Sequence, residues 1–431
     1  MSIETSTETT APIAPAQSSA TRWILGLALV LRLLTLWSWI KQFGAAHLFA
    51  NGLEMSLLAR SILHGQGLAS PFGPPTGPTA FIAPAYPILV AAVFRLFGIE
   101  SAASACVMLT LHLAANLATI WLMMHLARRW FSPRAATIAG LFWAISPPTL
   151  FLPVIFWETS FSILLLLTLI ALADTLCHSP TTPRWLATGA FVGFLGLVNP
   201  ALLLTAFGLG FACVLRILRT RALTLPKVLQ RTILCATTFL LVFCAWPIRN
   251  AMVFHAFVPL RTTVGFELWM GNRAGSTGFL DESIFPTFNP PELAQYIQLG
   301  EIAYTNQKTA LGRAYIAAYP ATFAQLTAKR FLRFWSGTGT QHGSPFFPLD
   351  AILTTAFALA GLILLFRSRR WDIFTLVLPP LLLFPIPYYL THAEFRYRIL
   401  LDPILTILGA YAITALMPQR IQIGEVEGRE S

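Results

Sequence analysis

The sequence predicts an all-α polytopic membrane protein with about ten transmembrane helices, an interfacial juxtamembrane segment in its first outer loop and a small helical outer cap. The composition is 56% hydrophobic and only 11% charged, with a mean hydropathy of +0.67. Apolar stretches of spanning length recur along the whole chain. Two acids, Glu54 and Glu158, each follow an apolar segment, where the chain first leaves the bilayer. At the membrane surface a carboxylate stays ionised, whereas in the hydrocarbon core it is costly.

Residues 1–21 are rich in Ser, Thr, Ala and Pro and read as a disordered cytoplasmic tail. No basic n-region, short apolar core and small-residue cleavage site precede the first span, so Trp23–Ile40 reads as an uncleaved anchor. Later spans are expected at roughly 103–127, 135–147, 160–176, 186–198, 201–215, 232–247, 351–366, 373–388 and 400–416, three of them short. The expected plan is a transmembrane catalytic module over 22–247 with outer loops 41–102 and 148–159. An extracytoplasmic helical loop over 248–347, final spans over 348–417 and a cytoplasmic tail over 418–431 complete it.

Basic clusters fall between alternate spans: Arg128, Arg129 and Arg134; Arg184; Arg216, Arg219, Arg221, Lys227 and Arg231; Arg367, Arg369 and Arg370. The positive-inside rule places all of them in the cytoplasm of a plasma (inner) membrane protein, so Glu54, Glu158, the long connection and the stretch 389–398 face outward. This parity requires that Ala85–Gly98 does not span. That stretch is short, begins with Pro84 and Pro87 nearby and carries Arg95, so it reads as a helix in the outer interface.

The net charge of +11 is explained by orientation and contact with anionic headgroups, and nucleic acid is not an expected partner. The five cysteines lie in or beside spans, none in an outer loop, so no extracytoplasmic disulfide is expected. No spacing resembles a zinc site, and no phosphate-cradling glycine motif for ATP or a nucleotide sugar is present.

The first outer loop is the densest motif. Leu53, Leu57, Leu58, Ser61 and Ile62 share one helical face, which suits a helix lying on the membrane and leaves Glu54, Arg60 and His64 to project towards water or a cavity. Gly65 and Gly67 end that helix, and Pro71–Pro78 form a tight loop. The ordered elements Glu54, Leu58-Ala59-Arg60, Gly65-Gln66-Gly67, Thr79-Ala80, Tyr86-Pro87 and Phe97-Gly98 resemble the first loop of GT-C type membrane glycosyltransferases. The resemblance is to the protein-mannosyltransferase and aminoarabinose-transferase-like (glycosyltransferase family 39-like) group. Glu158, just before the fourth span, matches that group's second acid, and HAEFRYRILLDP (His392 to Pro403) resembles its late outer motif. Two departures stand out. Ala83-Pro84-Ala85 lacks the lysine that some members place near the lipid phosphate, and Glu54 stands alone where many have an Asp-Glu pair.

The resemblance implies an inverting hexosyl- or pentosyltransferase that moves a sugar from a polyprenyl phosphate to a glycan, lipid or protein acceptor on the extracytoplasmic face. Glu54 is the implied general base. Three roles stay open for Glu158: orienting the acceptor, supporting Glu54 or sharing a divalent metal ion, the one cofactor left open. Arg60, Arg396 and Arg398 are the implied phosphate contacts, with His64, Tyr86 and Tyr397 in the substrate-binding set. Each has a plainer alternative: Glu54 paired with Arg60, Glu158 keeping its loop in water, the late arginines as interface anchors, His64 and His392 as bystanders. Arg32, inside the first span, reads as a structural hydrogen-bond donor. The rival function is a transporter or flippase for a lipid-linked glycan, for which Asn199-Pro200 would be a broken helix rather than a tight turn.

Overall fold

The structure is a computed structural model that describes residues 19–338 and 346–417. Apart from residues 19–21, the two expected tails lie outside the described residues. The chain runs α1 (Ser19–Phe43), α2 (Leu53–Leu63), α3 (Ala85–Phe97), α4 (Ala102–Trp130), α5 (Pro133–Ile145), α6 (Pro147–Leu150), α7 (Thr159–His178), α8 (Thr182–Val198), α9 (Leu202–Arg219) and α10 (Leu225–Phe243). It continues through α11 (Ala245–Phe254), α12 (Thr263–Gly271), α13 (Pro290–Leu299), α14 (Glu301–Ala318), α15 (Pro320–Ser336), α16 (Phe346–Arg367), α17 (Trp371–Leu383), α18 (Ile386–Leu390), α19 (Phe395–Arg398) and α20 (Asp402–Leu416). The protein is an all-α polytopic membrane protein.

Each expected span falls on a helix, but among the described residues only seven have the length and apolarity to cross a bilayer: α1, α4, α7, α9, α10, α16 and the continuous stretch Trp371–Leu390. α5, α8 and α20 are shorter. At 1.5 Å per residue, the 13 residues of α5 cover about 20 Å of a core about 30 Å thick. α5 packs against α1, α4 and α20, and α20 is buried from Asp402 through Ala410. Gly361 makes this possible, because a Cβ there would lie 2.2 Å from the Leu408 carbonyl oxygen of α20. The helix starts follow local chemistry. Ser101 and Ser132 accept from the backbone N–H groups of Ser104 and Ala135, both at 3.1 Å, and Pro133 occupies the first turn of α5.

The first described residues, Ser19, Ala20 and Thr21, already belong to α1, inside the stretch expected to be a tail, and Arg128 donates to the Thr21 hydroxyl at 2.8 Å. Arg32 is fully buried and donates to the carbonyls of Trp143 and Ala144 at 3.3 Å and to the Thr149 hydroxyl at 3.1 Å. It therefore satisfies the end of α5, as a donor buried between helices must.

The bundle has two chemically distinct ends. At one, Arg129 pairs with Asp174 at 2.7 Å, Arg184 donates to the Thr175 and Ser179 carbonyls, Arg216 to that of Asp372 and Arg370 to that of Trp130. A small apolar cluster of Leu176, Trp185, Ile217 and Val228 seals this basic end. At the other end a second cluster joins Trp39 of α1, Met55 and Leu58 of α2, Tyr86 and Phe94 of α3, Met108 of α4, Phe156, and Phe266 and Tyr304 of the long connection. α3 packs between α2 and the start of α4 within that cluster, so the chain enters and leaves it at the same end.

Two local expectations change. The buried face of α2 is Met55, Ser56, Leu58, Ala59 and Ser61, whereas Leu53 is exposed; packing against α3 and Phe156 selects that face rather than the one of greatest apolarity. The periodic stretch after Asn289 is split at Gly300 into α13 and α14. Asn289 caps α13 through the Glu292 backbone N–H at 3.1 Å. The Asn199-Pro200 pair is a tight turn between α8 and α9, held by Asn199 donating to the Ser162 hydroxyl at 3.1 Å.

Candidate active site

Loops from three parts of the chain meet at the end of the bundle away from Arg129, Arg184, Arg216 and Arg370. Gly52, just before α2, sits against the Phe156 carbonyl: a Cβ there would lie 2.2 Å from that oxygen. Phe156 is fully buried and meets the rings of Phe49 and Tyr86 edge-on at 5.1 and 5.8 Å. This contact seats the start of α2, with Glu54 two residues on, against the segment that ends in Glu158. Gly52→Ala must push the loops apart, and overpacking of this kind costs about 1–3 kcal/mol. The melting temperature in detergent should fall; an unchanged value would mean that the two loops do not meet here.

Arg396 is the charge that the acids share. Burial raises the pKa of Glu54 above the ordinary carboxylate value; a backbone hydrogen bond and Arg396 oppose the rise, and Glu282 adds to it. Burial alone would lower the pKa of Arg396, but Glu394, Tyr397 and Glu158 outweigh it and keep the guanidinium charged. Its nitrogen lies 3.5 Å from Glu394, and the guanidinium stacks over the Trp157 ring at 4.6 Å. Glu267 of α12 joins the same group: burial raises its pKa, Arg261 and Arg396 oppose this, and Glu394 reinforces it.

Beside this group a crevice of about 10 Å³, room for about one water, is lined by Ile82, Ala83, Tyr86, Trp157, Glu158, Val198 and Arg261. Tyr86 is buried, with its hydroxyl 2.9 Å from His112 Nε2, and His112 Nδ1 lies 2.9 Å from the Pro153 carbonyl. A carbonyl only accepts, so Nδ1 carries the proton and Nε2 accepts from Tyr86. Burial, with Glu158 reinforcing it, holds Tyr86 as a neutral phenol. Tyr397 stacks on Tyr388 at 4.2 Å and bonds His392 Nε2 at 2.9 Å. Burial first, then Arg396 and Arg330, lower the His392 pKa to about 3, so its ring is neutral.

The structure thus gathers Glu54, Glu158, Tyr86, Arg396 and Tyr397. It does not bring the other three predicted residues to them. Arg60 is 46% exposed and faces Glu100 at 3.8 Å, so it is not the partner of Glu54. His64 is exposed where α2 ends. Arg398 is fully buried and paired with Asp402. It also donates to the Thr354 hydroxyl at 2.6 Å, the Ala351 carbonyl at 3.0 Å and the Thr355 hydroxyl at 3.1 Å. These bonds commit it to α16 and α20 rather than to the crevice.

Glu267, Arg261, Trp157 and Glu394 belong to the site although the sequence reading did not select them. Glu267 carries the one usable signal, a single acid within the apolar run Val264–Trp269. A divalent ion needs several oxygen ligands around one point. Among the described residues no three of His, Cys, Asp and Glu are gathered in that way, and the charge common to the acids is a guanidinium. The described residues do not fit such an ion.

No protein-family model matches the sequence, and no curated protein matches it significantly. Among solved structures, the Archaeoglobus fulgidus oligosaccharyltransferase in complex with Zn and sulfate is similar over 92% of this chain and 49% of its own, with a TM-score of 0.51 and 14% identity. ArnT from Cupriavidus metallidurans bound to undecaprenyl phosphate is similar over 92% of this chain and 78% of its own, with a TM-score of 0.39 and 16% identity. The chain therefore spans about half the length of the oligosaccharyltransferase it matches. At such identity the likeness to the oligosaccharyltransferase establishes the fold alone: the chain shares the helical membrane fold of that protein.

Proposed function

We propose that this chain transfers a sugar from a polyprenyl-phosphate donor to a glycan, lipid or protein acceptor at the extracytoplasmic face of the plasma (inner) membrane. The observation that carries the reading is geometric: Gly52 against the Phe156 carbonyl seats the segments that bear Glu54 and Glu158 together, and Arg396 stacks on the Trp157 ring beside Glu158 at 4.6 Å, at the end of the bundle away from Arg129, Arg184, Arg216 and Arg370. Positive charge favours the cytoplasmic side, so the acids lie outside. Nucleotide sugars are absent there, and a lipid-linked donor supplies the sugar from within the membrane.

In this reading the acceptor oxygen or nitrogen attacks the anomeric carbon as Glu54 takes its proton. The bond from that carbon to the phosphate oxygen breaks, and the lipid phosphate leaves with the electron pair. Direct displacement inverts the anomeric centre. Arg396 meets the growing phosphate charge, for which a guanidinium is geometrically suited. Glu158, on the crevice wall, orients the acceptor.

The pH dependence of transfer by purified protein tests this assignment. Glu54 works as a base only when ionised, so kcat/KM falls as pH drops through its pKa. Burial raises that pKa, so the acid limb should lie above the ordinary value of about 4.3. Full transfer maintained down to a pH of about 4 would remove Glu54 as the base.

A further inference from the structure

We infer that Glu301 is a positioning residue that holds together the two segments bringing Ile82 and Arg261 to the crevice beside Glu158. The kinetic consequence rests on the transferase reading, while the geometry does not. Glu301 opens α14, far in sequence from the first loop, and its side chain is buried. One carboxylate oxygen accepts from the Ala80 backbone N–H and the Thr262 hydroxyl, both at 2.7 Å. The other accepts from the hydroxyls of Thr79 and Tyr296, both at 2.5 Å. An ionised carboxylate only accepts and offers about four lone-pair sites, so four donors match it fully.

The donors are informative for where they lead. Ala80 is two residues before Ile82, and Thr262 directly follows Arg261; both Ile82 and Arg261 line the crevice, one from the first loop and one from the long connection. The Thr262 N–H also donates to the Ala80 carbonyl at 3.1 Å, so the two segments are joined by backbone as well as by the carboxylate. Arg249 extends the same attachment, donating to the carbonyls of Thr79 at 2.8 Å and Leu68 at 2.9 Å. Apolar residues could hold two segments together without the desolvation cost of a buried acid. What four converging hydrogen bonds add is orientation, which a site with a fixed reaction geometry requires.

The test compares Glu301→Ala, Glu301→Gln and Thr262→Val in purified full-length protein. Backbone hydrogen exchange over residues 79–83 should speed up about tenfold or more in Glu301→Ala, with α4 and α7 unchanged. With a polyprenyl-phosphate-linked sugar as donor, kcat should fall by about tenfold in the protein that remains folded, and Glu301→Gln, which keeps one accepting oxygen, should recover part of it. Thr262→Val removes one donor at constant shape and should show the same changes at a few-fold; it decides the matter if Glu301→Ala does not fold. A donor that the wild type does not turn over would sink the transferase reading, and exchange would still decide the attachment. Unchanged exchange at 79–83, exchange raised equally throughout the chain, or a loosened segment with wild-type kcat would each overturn the positioning role.

Discussion

Glu54→Gln should lower transfer roughly 10²–10⁴-fold, the range expected when a general base is removed, and leave the protein folded. Glutamine keeps the volume and the half-buried seat at the start of α2 but cannot accept a proton. The residual rate should lose its acid limb, because the group that titrated is gone. Glu158→Gln should cost less, since it removes orientation rather than the base. If Glu54→Gln turns over normally and Glu158→Gln is dead, the roles of the two acids are reversed.

The second large effect separates two arginines that stand two positions apart. Arg396→Ala should reduce transfer by about tenfold or more, because a charge-assisted contact is worth about 1.5–3 kcal/mol. Arg396→Lys should restore only part, since lysine keeps the charge and loses the fork. Arg396 also lowers the pKa of Glu54. Without it the carboxylate holds its proton to higher pH, so the acid limb of the pH profile should move upward in Arg396→Ala. Arg398→Ala should behave differently. Breaking its buried pair with Asp402 should cost about 3–5 kcal/mol of stability, seen as poor yield or a lowered melting temperature, while protein that does fold keeps its pH profile. Two variants with the same kinetic defect and the same melting temperature would show that this distinction is wrong.

That contrast also marks how far the sequence is legible. Hydropathy placed each expected span on a helix, seven of them among the described residues long and apolar enough to cross a bilayer, because burying apolar length leaves a signal that no tertiary contact is needed to read. Arginine placement grouped the loops that meet at the basic end. Within the late motif, Arg396 and Arg398 read as equivalent, yet successive residues of a helical turn point about 100° apart. Two positions therefore differ by about 200°, and only one of the pair can face the crevice. The same geometry separates Glu54 from Arg60 on α2, leaving Arg60 to Glu100. The apolar face of α2 was misjudged for a related reason: Leu53 is greasier than Ala59, but Ala59 is small enough to sit fully buried within the cluster. Glu267, Arg261 and Glu301 lie in or beside a long connection with no spacing rule to align it. Their partners are up to about two hundred residues away in sequence, and only the folded chain brings them together.

The central claim is that the acid end of the bundle cleaves a lipid-phosphate-linked sugar rather than moving it across the membrane. The most direct measurement reconstitutes the purified protein in sealed vesicles with a polyprenyl-phosphate-linked sugar and a panel of acceptors, and quantifies free lipid phosphate, glycosylated acceptor and intact donor in each leaflet. The account predicts one lipid phosphate released for each acceptor glycosylated, both dependent on Glu54. Intact donor redistributed between leaflets with no lipid phosphate released would contradict it and establish a transporter on the same fold.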